Sequence, residues 1–215
     1  TPDKLYAHDG DLITDITPIV ETATVNNPFN VSIGSAIVTC SDGSHNQKAG
    51  NYVLISAATT IGGNLLLNNN VYQITSVVNT NVFTINASSA ASATSAGTGG
   101  TGVKFNYLLP TGNSIATGGL GYGAAAFQAT VTTADTRAWN EAASADASDI
   151  VFNISQWSLD NWGDDVIANR NGGNIYYFDS DASTVPIRAT SVTSSPVSVN
   201  SIVVSPNDRH LICLG

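Results

Sequence analysis

The chain has 215 residues, of which 42% are hydrophobic and only 11% are charged, and its formal net charge is −9 at pH 7. This composition allows a buried core, but most of the surface must be covered by neutral polar side chains. Lys and Arg together number only 7 and are scattered, which argues against nucleic acid or an anionic membrane as the main partner. No apolar run is long enough to predict a membrane-spanning helix.

Residues 1–30 are predicted to form an N-terminal β segment followed by a linker. Short apolar runs at Leu5–Ala7 and Leu12-Ile13 flank a turn at Asp9-Gly10-Asp11, a pattern typical of short strands. Thr22–Asn30 is mainly polar, so we expect it to connect this segment to the next module.

Residues 31–109 are predicted to form a small β-barrel or sandwich module. The clearest signal is a hairpin, Val71–Val78 and Val82–Ala87, joined at Asn79-Thr80-Asn81, in which apolar residues recur at every second position. Residues 88–102 are almost entirely Ser, Ala, Thr and Gly. They have little apolar surface to offset the entropy lost on ordering, so we expect a flexible or extended arm.

Residues 110–149 are predicted to be an irregular Gly-rich connector. A single turn at Arg137–Ala143 is the one helix signal in the chain, so the predicted fold class is all-β, with little or no helix.

Residues 150–215 are predicted to form one or more β-propeller-like blades, continued by further residues or completed by other chains. Trp157 and Trp162 bracket a predicted turn, in which Asp160 is expected to bond the backbone of Trp162 or Gly163. The turn at Asn171-Gly172-Gly173 then reverses the chain into Ile175–Phe178. Strand, Gly turn and strand in this order are typical of a propeller blade.

Both faces of the strand Ile175–Phe178 are apolar. Alternation places Ile175 and Tyr177 on one face and Tyr176 and Phe178 on the other. A strand with two apolar faces is expected to be buried on both sides. An aromatic platform for stacking sugars, made by Trp157, Trp162, Tyr176 and Tyr177, is the alternative.

No catalytic, cofactor-binding or metal-binding residues are predicted. Asp160, Asp164 and Asp165 could supply oxygen ligands for Ca²⁺, but the spacing of an EF-type loop is missing, and Glu is too rare to suggest a glycosidase pair. Cys40 and Cys213 are expected to be separate buried or half-buried thiols. The candidates for structural or interface roles are Trp157, Asp160, Trp162, Gly163, Gly172, Gly173, Tyr176 and Tyr177.

Several motifs resemble, in the same order, those of a family of tailed-bacteriophage virion proteins that contain a β-propeller. The resemblance rests on D-I-T-P at Asp15–Pro18, a Gly-Tyr-Gly passage, W-S-L-D-N-W-G-D-D at Trp157–Asp165, and G-G-N-I-Y-Y-F-D at Gly172–Asp179. Residues 31–107 also resemble the small β-barrel that is inserted in ubiquitin-activating enzymes and recurs in phage tail proteins.

The resemblance implies a non-enzymatic structural protein of the phage tail, most naturally a nozzle or hub protein. Such a protein assembles as a homo-oligomeric ring with other virion tail proteins around the channel through which DNA leaves, without binding the DNA specifically. A receptor-binding or glycan-binding tail adhesin is the alternative reading, and an envelope-polysaccharide depolymerase is a third.

Overall fold

The computed structural model describes residues 4–8, 10–112, 155–182, 188–205 and 207–215. These residues form β-strands joined by turns and contain no helix, which confirms the all-β fold class. All of the strands lie in one compact unit, Thr1–Thr111 with Trp157–Gly215. In chain order they are β1 (Tyr6–His8), β2 (Ile13–Asp15), β3 (Ile19–Val25), β4 (Phe29–Val31), β5 (Ile37–Ser41), β6 (Tyr52–Ser56), β7 (Asn70–Asn79), β8 (Val82–Asn86), β9 (Ser95–Thr98), β10 (Val103–Leu108), β11 (Trp157–Trp162), β12 (Asp165–Arg170), β13 (Ile175–Phe178), β14 (Thr190–Ser191), β15 (Ser201–Ser205) and β16 (His210–Leu214).

The strands divide into two sets with separate cores. We call β3–β10 the barrel, and β1–β2 with β11–β16 the blade unit. Strands with extensive mutual contacts always belong to the same set: both lie in the barrel, or both lie in the blade unit. The connector predicted at 110–149 and its helical turn at Arg137–Ala143 lie almost entirely outside the described residues.

The barrel is one antiparallel sheet with the strand order β3-β10-β6-β7-β8-β5-β4-β9. In a flat sheet β10 and β4 would lie about 24 Å apart, since five strand spacings separate them. Instead, the rings of Phe105 on β10 and Phe29 on β4 meet edge to face with centroids 5.7 Å apart. The sheet is therefore curled around a single core, as predicted for this module.

Strand β7 makes the corner of the curl. Its first half, Asn70–Gln73, pairs with β6, and its second half, from Ile74 onward, pairs with β8 across two register shifts. Strands that change partner through bulges are a common way to turn a sheet corner. The predicted hairpin of β7 and β8 is confirmed.

The prediction of a flexible or extended arm at 88–102 is wrong in part, because the arm packs against the barrel. Ser95–Thr98 forms β9 and pairs with β4, and Ala91 is 3% exposed in the core. Gly99 has φ +117°, and a Cβ there would lie 2.3 Å from the ring of Phe29. The small residues of this segment thus let the backbone lie directly on an aromatic side chain, a contact that composition alone does not reveal.

The predicted linker Thr22–Asn30 also proves to be part of the sheet. β3 runs to Val25 and pairs with β10 along its length, and β4 begins at Phe29. The chain therefore enters the barrel on β3 and leaves it on the neighbouring β10. Just outside the barrel, the Leu109 N–H donates to the Pro18 carbonyl at 2.8 Å. The barrel is an insertion between two parts of the blade unit.

In the blade unit, β11-β12-β13-β14 form an antiparallel sheet whose strands follow one another in chain order. Its two faces are covered by different clusters, as the alternation in Ile175–Phe178 predicts. Tyr176 and Phe178 pack with Ile16 of the N-terminal segment. Ile175 and the half-buried Tyr177 pack with residues leading into and forming the β15–β16 hairpin.

The two tryptophans do not bracket a turn, which corrects the sequence prediction. Trp157 and Trp162 are the first and last residues of the single strand β11. The reversal comes after them at Gly163, whose φ is +75°, a backbone conformation that glycine adopts without strain. The predicted turn at Gly172 is present, with φ +72° there and the Gly173 N–H donating to the Arg170 carbonyl at 2.7 Å.

Candidate functional site

Trp157 and Tyr176 lie on the face of the blade sheet that receives the N-terminal segment. Their rings are 6.4 Å apart at the centroids and tilted, and Tyr176 is 5% exposed. The Trp157 indole N–H donates to the Thr111 carbonyl at 3.2 Å. Tyr176 thus contributes to a packed core, and this arrangement leaves it little surface for stacking a sugar.

Asp160 has a different role from the predicted turn. It lies inside β11, where its Oδ2 accepts a hydrogen bond from the Val204 N–H at 2.7 Å and its Oδ1 accepts one from the Asn161 N–H. Two residues earlier, the Ser158 hydroxyl bonds both the N–H and the carbonyl of Ile202, at 3.1 and 3.0 Å. Side chains of β11 therefore satisfy one backbone edge of β15.

Trp162 and Tyr177 lie on the opposite face of the sheet. Trp162 packs against the cluster formed with the β15–β16 hairpin. The Tyr177 hydroxyl donates to Asp165 Oδ2 at 2.5 Å, and the same carboxylate accepts from the Ser180 N–H at 2.9 Å. These bonds, the one from Tyr177 first, lower the pKa of Asp165, and the same contact raises the pKa of Tyr177 to about 12.

The N-terminal segment is fixed to the rest of the blade unit by a charge cluster at Asp15, within the D-I-T-P motif. Arg188 donates to both carboxylate oxygens, at 2.9 and 3.2 Å, and Lys4 lies 3.3 Å away. The Thr17 hydroxyl donates to Oδ1 at 2.6 Å. Burial alone would raise the pKa of Asp15, but these hydrogen bonds and the Arg188 charge outweigh it and lower the pKa.

The barrel holds a second Asp–Tyr pair in its interior. The hydroxyl of Tyr107, which is fully buried, donates to Asp42 Oδ2 at 2.5 Å, and Asp42 is 7% exposed. Burial, reinforced by the Asp42 contact, raises the pKa of Tyr107. Cys40 is a free thiol in the same core, and burial raises its pKa. Cys213 is a free, half-buried thiol in the blade unit, so the expectation for both cysteines is confirmed.

The acidic residues weighed as calcium ligands do not converge. Asp160 accepts hydrogen bonds from backbone N–H groups, and Asp165 accepts them from the Tyr177 hydroxyl and the Ser180 N–H. Among the described residues, no group of three His, Cys, Asp or Glu side chains is arranged to hold a metal ion. Nor does any helix in that part of the chain have the length and apolarity to cross a membrane.

A neutral groove lies on the outer face of the barrel, where β4, β5 and the segment leading into β9 meet. Its cavity volume is about 400 Å³. Asn30 and Thr39 are paired across β4 and β5, and Ile37 beside them is 55% exposed. The polar residues that line the groove are Asn30, Ser32, Ser35, Thr39, Thr94 and Ser95.

Part of this groove has unused hydrogen-bonding capacity. Asn30 accepts from the Gly97 N–H through Oδ1 at 2.8 Å, and Thr94 Oγ1 accepts from the Ile33 N–H at 3.0 Å. The Asn30 amide nitrogen and the Thr39 hydroxyl make no hydrogen bond to the described residues. The groove therefore offers donors and acceptors beside an apolar side chain and carries no formal charge.

Sequence reasoning did not find these features. The groove joins residues more than fifty positions apart, and the Asn-x-Ser sequon at Asn30, a glycosylation-type motif, does not indicate a ligand groove. Asp15 and Arg188 are separated by 173 positions. The D-I-T-P motif was the available signal for Asp15, but nothing near Arg188 pointed to it.

Comparison with known proteins adds little information about the function of the chain. No protein-family model matches the chain, and no curated protein matches it. Among solved structures, the chain is similar to the phage phi92 endosialidase, with 16% sequence identity and a TM-score of 0.36. The alignment covers 94% of this chain and 28% of that one, so the chain spans less than a third of that protein's length. The likeness is a distant one to a phage protein.

Proposed function

We propose that the chain is a non-enzymatic module of a phage tail, and that its inserted barrel binds a neutral glycan or receptor on the host surface. The observation that carries this proposal is the uncharged groove formed by β4, β5 and the approach to β9. The motif resemblance supplies the phage-tail context.

The chemistry of the groove suits a neutral saccharide. Sugar hydroxyls both donate and accept hydrogen bonds. The Thr39 hydroxyl can do both and the Asn30 amide nitrogen can donate, and neither is hydrogen-bonded to any residue that the structure describes. The exposed methyl groups of Ile37 offer a surface for the apolar C–H faces of a sugar ring. The absence of charged residues from the lining favours a neutral ligand over a phosphorylated or acidic one.

The position of the barrel suits the presentation of a binding groove by a separate scaffold. The chain enters and leaves it on neighbouring strands, so the groove can be altered with little disturbance to the blade unit. Binding residues are often carried on an element that a separate scaffold positions.

The test compares two Arg substitutions on the outer face of the barrel. Thr39→Arg fills the groove, whereas Gln73→Arg places the same side chain at an exposed position on β7. Binding of the labelled protein to host cells and to an array of neutral bacterial oligosaccharides is measured. We expect Thr39→Arg to lower binding at least tenfold and Gln73→Arg to leave it unchanged. Wild-type binding by a folded Thr39→Arg variant would contradict the proposal.

A second candidate is a tail nozzle or hub protein that forms a ring around the DNA channel. The four strands of the blade sheet follow one another as in a propeller blade, which favours this function. Cryo-electron imaging of the virion tests it. A closed ring coaxial with the tail is expected for a nozzle or hub, whereas a peripheral spike supports the adhesin.

A further inference from the structure

We infer that the free edge of β16 is an interface at which a second copy of this chain adds its own β16 antiparallel, about a two-fold axis through Ile212. This inference is independent of the proposed glycan-binding function.

The hydrogen bonds of β15 fix which backbone groups of β16 face the open edge. Because the Ser158 hydroxyl bonds both the N–H and the carbonyl of Ile202, these groups point away from β16. Ile202 is paired with Cys213. In an antiparallel ladder, both residues of such a pair turn their backbone groups outward. The N–H and carbonyl of Cys213 therefore face the open edge.

The backbone groups of Leu211, two residues before Cys213, also face the open edge. The Val204 N–H points to Asp160, and Val204 is paired with Leu211. Leu211 thus presents a second N–H and carbonyl on the open edge. Neither Leu211 nor Cys213 makes a backbone hydrogen bond on that side to any residue that the structure describes.

This edge is self-complementary. When a second β16 is placed antiparallel with Ile212 on the axis, Leu211 of each copy lies opposite Cys213 of the other. The two pairs then exchange four N–H to carbonyl bonds, with each donor facing an acceptor. A contact of this kind is isologous and closes after two copies.

The outward side chains support the same pairing. Val203 and Ile212 are directly opposite each other and are 49% and 51% exposed, and Leu214 is 55% exposed. In the dimer, Ile212 faces Ile212 of the second copy in a non-hydrogen-bonded pair, where side chains are closest. An apolar stripe of four residues then crosses the interface.

Charge explains why a second copy is accepted here. The protein has a net charge of −9, yet His210–Leu214 contains no Asp, Glu, Lys or Arg. Two copies can therefore meet on this strand without placing like charges opposite each other.

The open edges of β3, β14 and β9 differ from that of β16. β3 carries Glu21, and β14 has only two residues. On β9 the chain leaves the extended conformation at Gly97, whose φ is +60°, and the Gly97 N–H is already bonded to Asn30. Charged residues, short length and irregularity are ways in which proteins protect sheet edges, and β16 has none of these.

A cross-linking experiment tests the predicted register. In a Cys213→Ala background, Ile212→Cys is compared with Val203→Cys, which is equally exposed on the same face. Across the axis the two Ile212 positions are about 4.5 Å apart at Cα, within disulfide range, whereas the two Val203 positions are about 14 Å apart. We expect Ile212→Cys to form a disulfide-linked dimer on mild oxidation and Val203→Cys to remain mostly monomeric. Equal cross-linking of both variants, or none, would overturn the proposal.

Light scattering tests the dimer without any introduced cysteine. The wild-type chain is expected to form a dimer that Ile212→Lys dissociates, because two ammonium groups would face each other, while Val203→Lys remains dimeric. A monomeric wild-type protein would refute the interface. If hydrogen exchange then showed the amides of Leu211 and Cys213 protected, the edge of β16 would be covered by another segment or another protein and not by a second copy.

Discussion

The barrel and the blade unit are stabilised in different ways. The barrel is a continuous stretch, 19–108, curled around one core in which Phe29, Phe83, Phe105 and Tyr107 are in contact. The blade unit assembles strands from both sides of that insertion into smaller clusters. Polar contacts hold its layers together, notably Asp15 with Arg188 and the β11 side chains with β15. One large apolar core thus dominates the barrel, whereas smaller clusters supplemented by specific polar contacts hold the blade unit together.

The largest expected effect is in the barrel core. Phe83 is fully buried and contacts both Phe105 and Tyr107. Phe83→Ala should lower the free energy of unfolding of the barrel by about 3–5 kcal/mol through lost burial and a residual cavity. Urea denaturation measures it, with Val78→Ala on the exposed surface as the control. A change as small as that of the control would show that the barrel does not depend on this core.

The corresponding test of the blade unit is Arg188→Ala. The substitution leaves the partly buried carboxylate of Asp15 with Lys4 and Thr17 alone. We expect a loss of about 2–3 kcal/mol, less than the roughly 3–5 kcal/mol for a fully buried pair, because Lys4 and Thr17 still contact the carboxylate. Arg188→Lys keeps the charge but not the two-pronged contact, so it should recover only part of the loss. Hydrogen exchange should show the N-terminal segment, rather than the barrel, losing protection. Loss of protection in the barrel alone would contradict this role.

The two Asp–Tyr pairs make a matched comparison between the regions. Tyr107→Phe leaves Asp42 unpaired inside the barrel and should cost about 2–3 kcal/mol, whereas Tyr177→Phe at the more exposed pair should cost less than about 1 kcal/mol. Denaturation of the two variants checks this order. Equal costs would mean that burial does not distinguish the pairs.

The smallest expected effect is a pH dependence in the blade unit. The pKa of Tyr177 is raised to about 12 by its hydrogen bond to Asp165. A raised folded-state pKa contributes stability that is complete below the usual tyrosine value of about 10 and is lost as the pH rises towards 12. The difference in stability between wild type and Tyr177→Phe should therefore shrink across this range. A difference that stays constant would show that the hydrogen bond does not favour the neutral phenol.

Much of the local structure could be predicted because its signals lie close together in the sequence. The alternation in Ile175–Phe178 predicts a strand buried on both faces, and the hairpin of β7 and β8 is predicted by period-two apolar residues. The arm at 88–102 was misjudged because its order comes from Phe29 and the barrel core, far away in the chain. Asp160 was assigned to a turn since Asp favours turns, and its actual partner, Val204, lies 44 positions further on.

The candidate site was less accessible to sequence reasoning than the fold. The groove needs β4 and β5 to be paired and β9 to close one side, and neither Asn30 nor Thr39 is unusual in a chain rich in Asn and Thr. The motif residues Trp157 and Tyr176 were singled out as structural or interface candidates, and the structure places both in packing contacts.

We infer from these contacts that the barrel is a separately stabilised insertion within the blade unit. Native-state hydrogen exchange at increasing, sub-denaturing urea tests it directly, because groups that unfold together lose protection together. We predict one cooperative unit containing β3–β10, and a second containing 4–18 together with β11–β16, despite the distance between these segments in the chain. Loss of protection in all segments at once, or of residues 4–18 together with the barrel, would contradict the account.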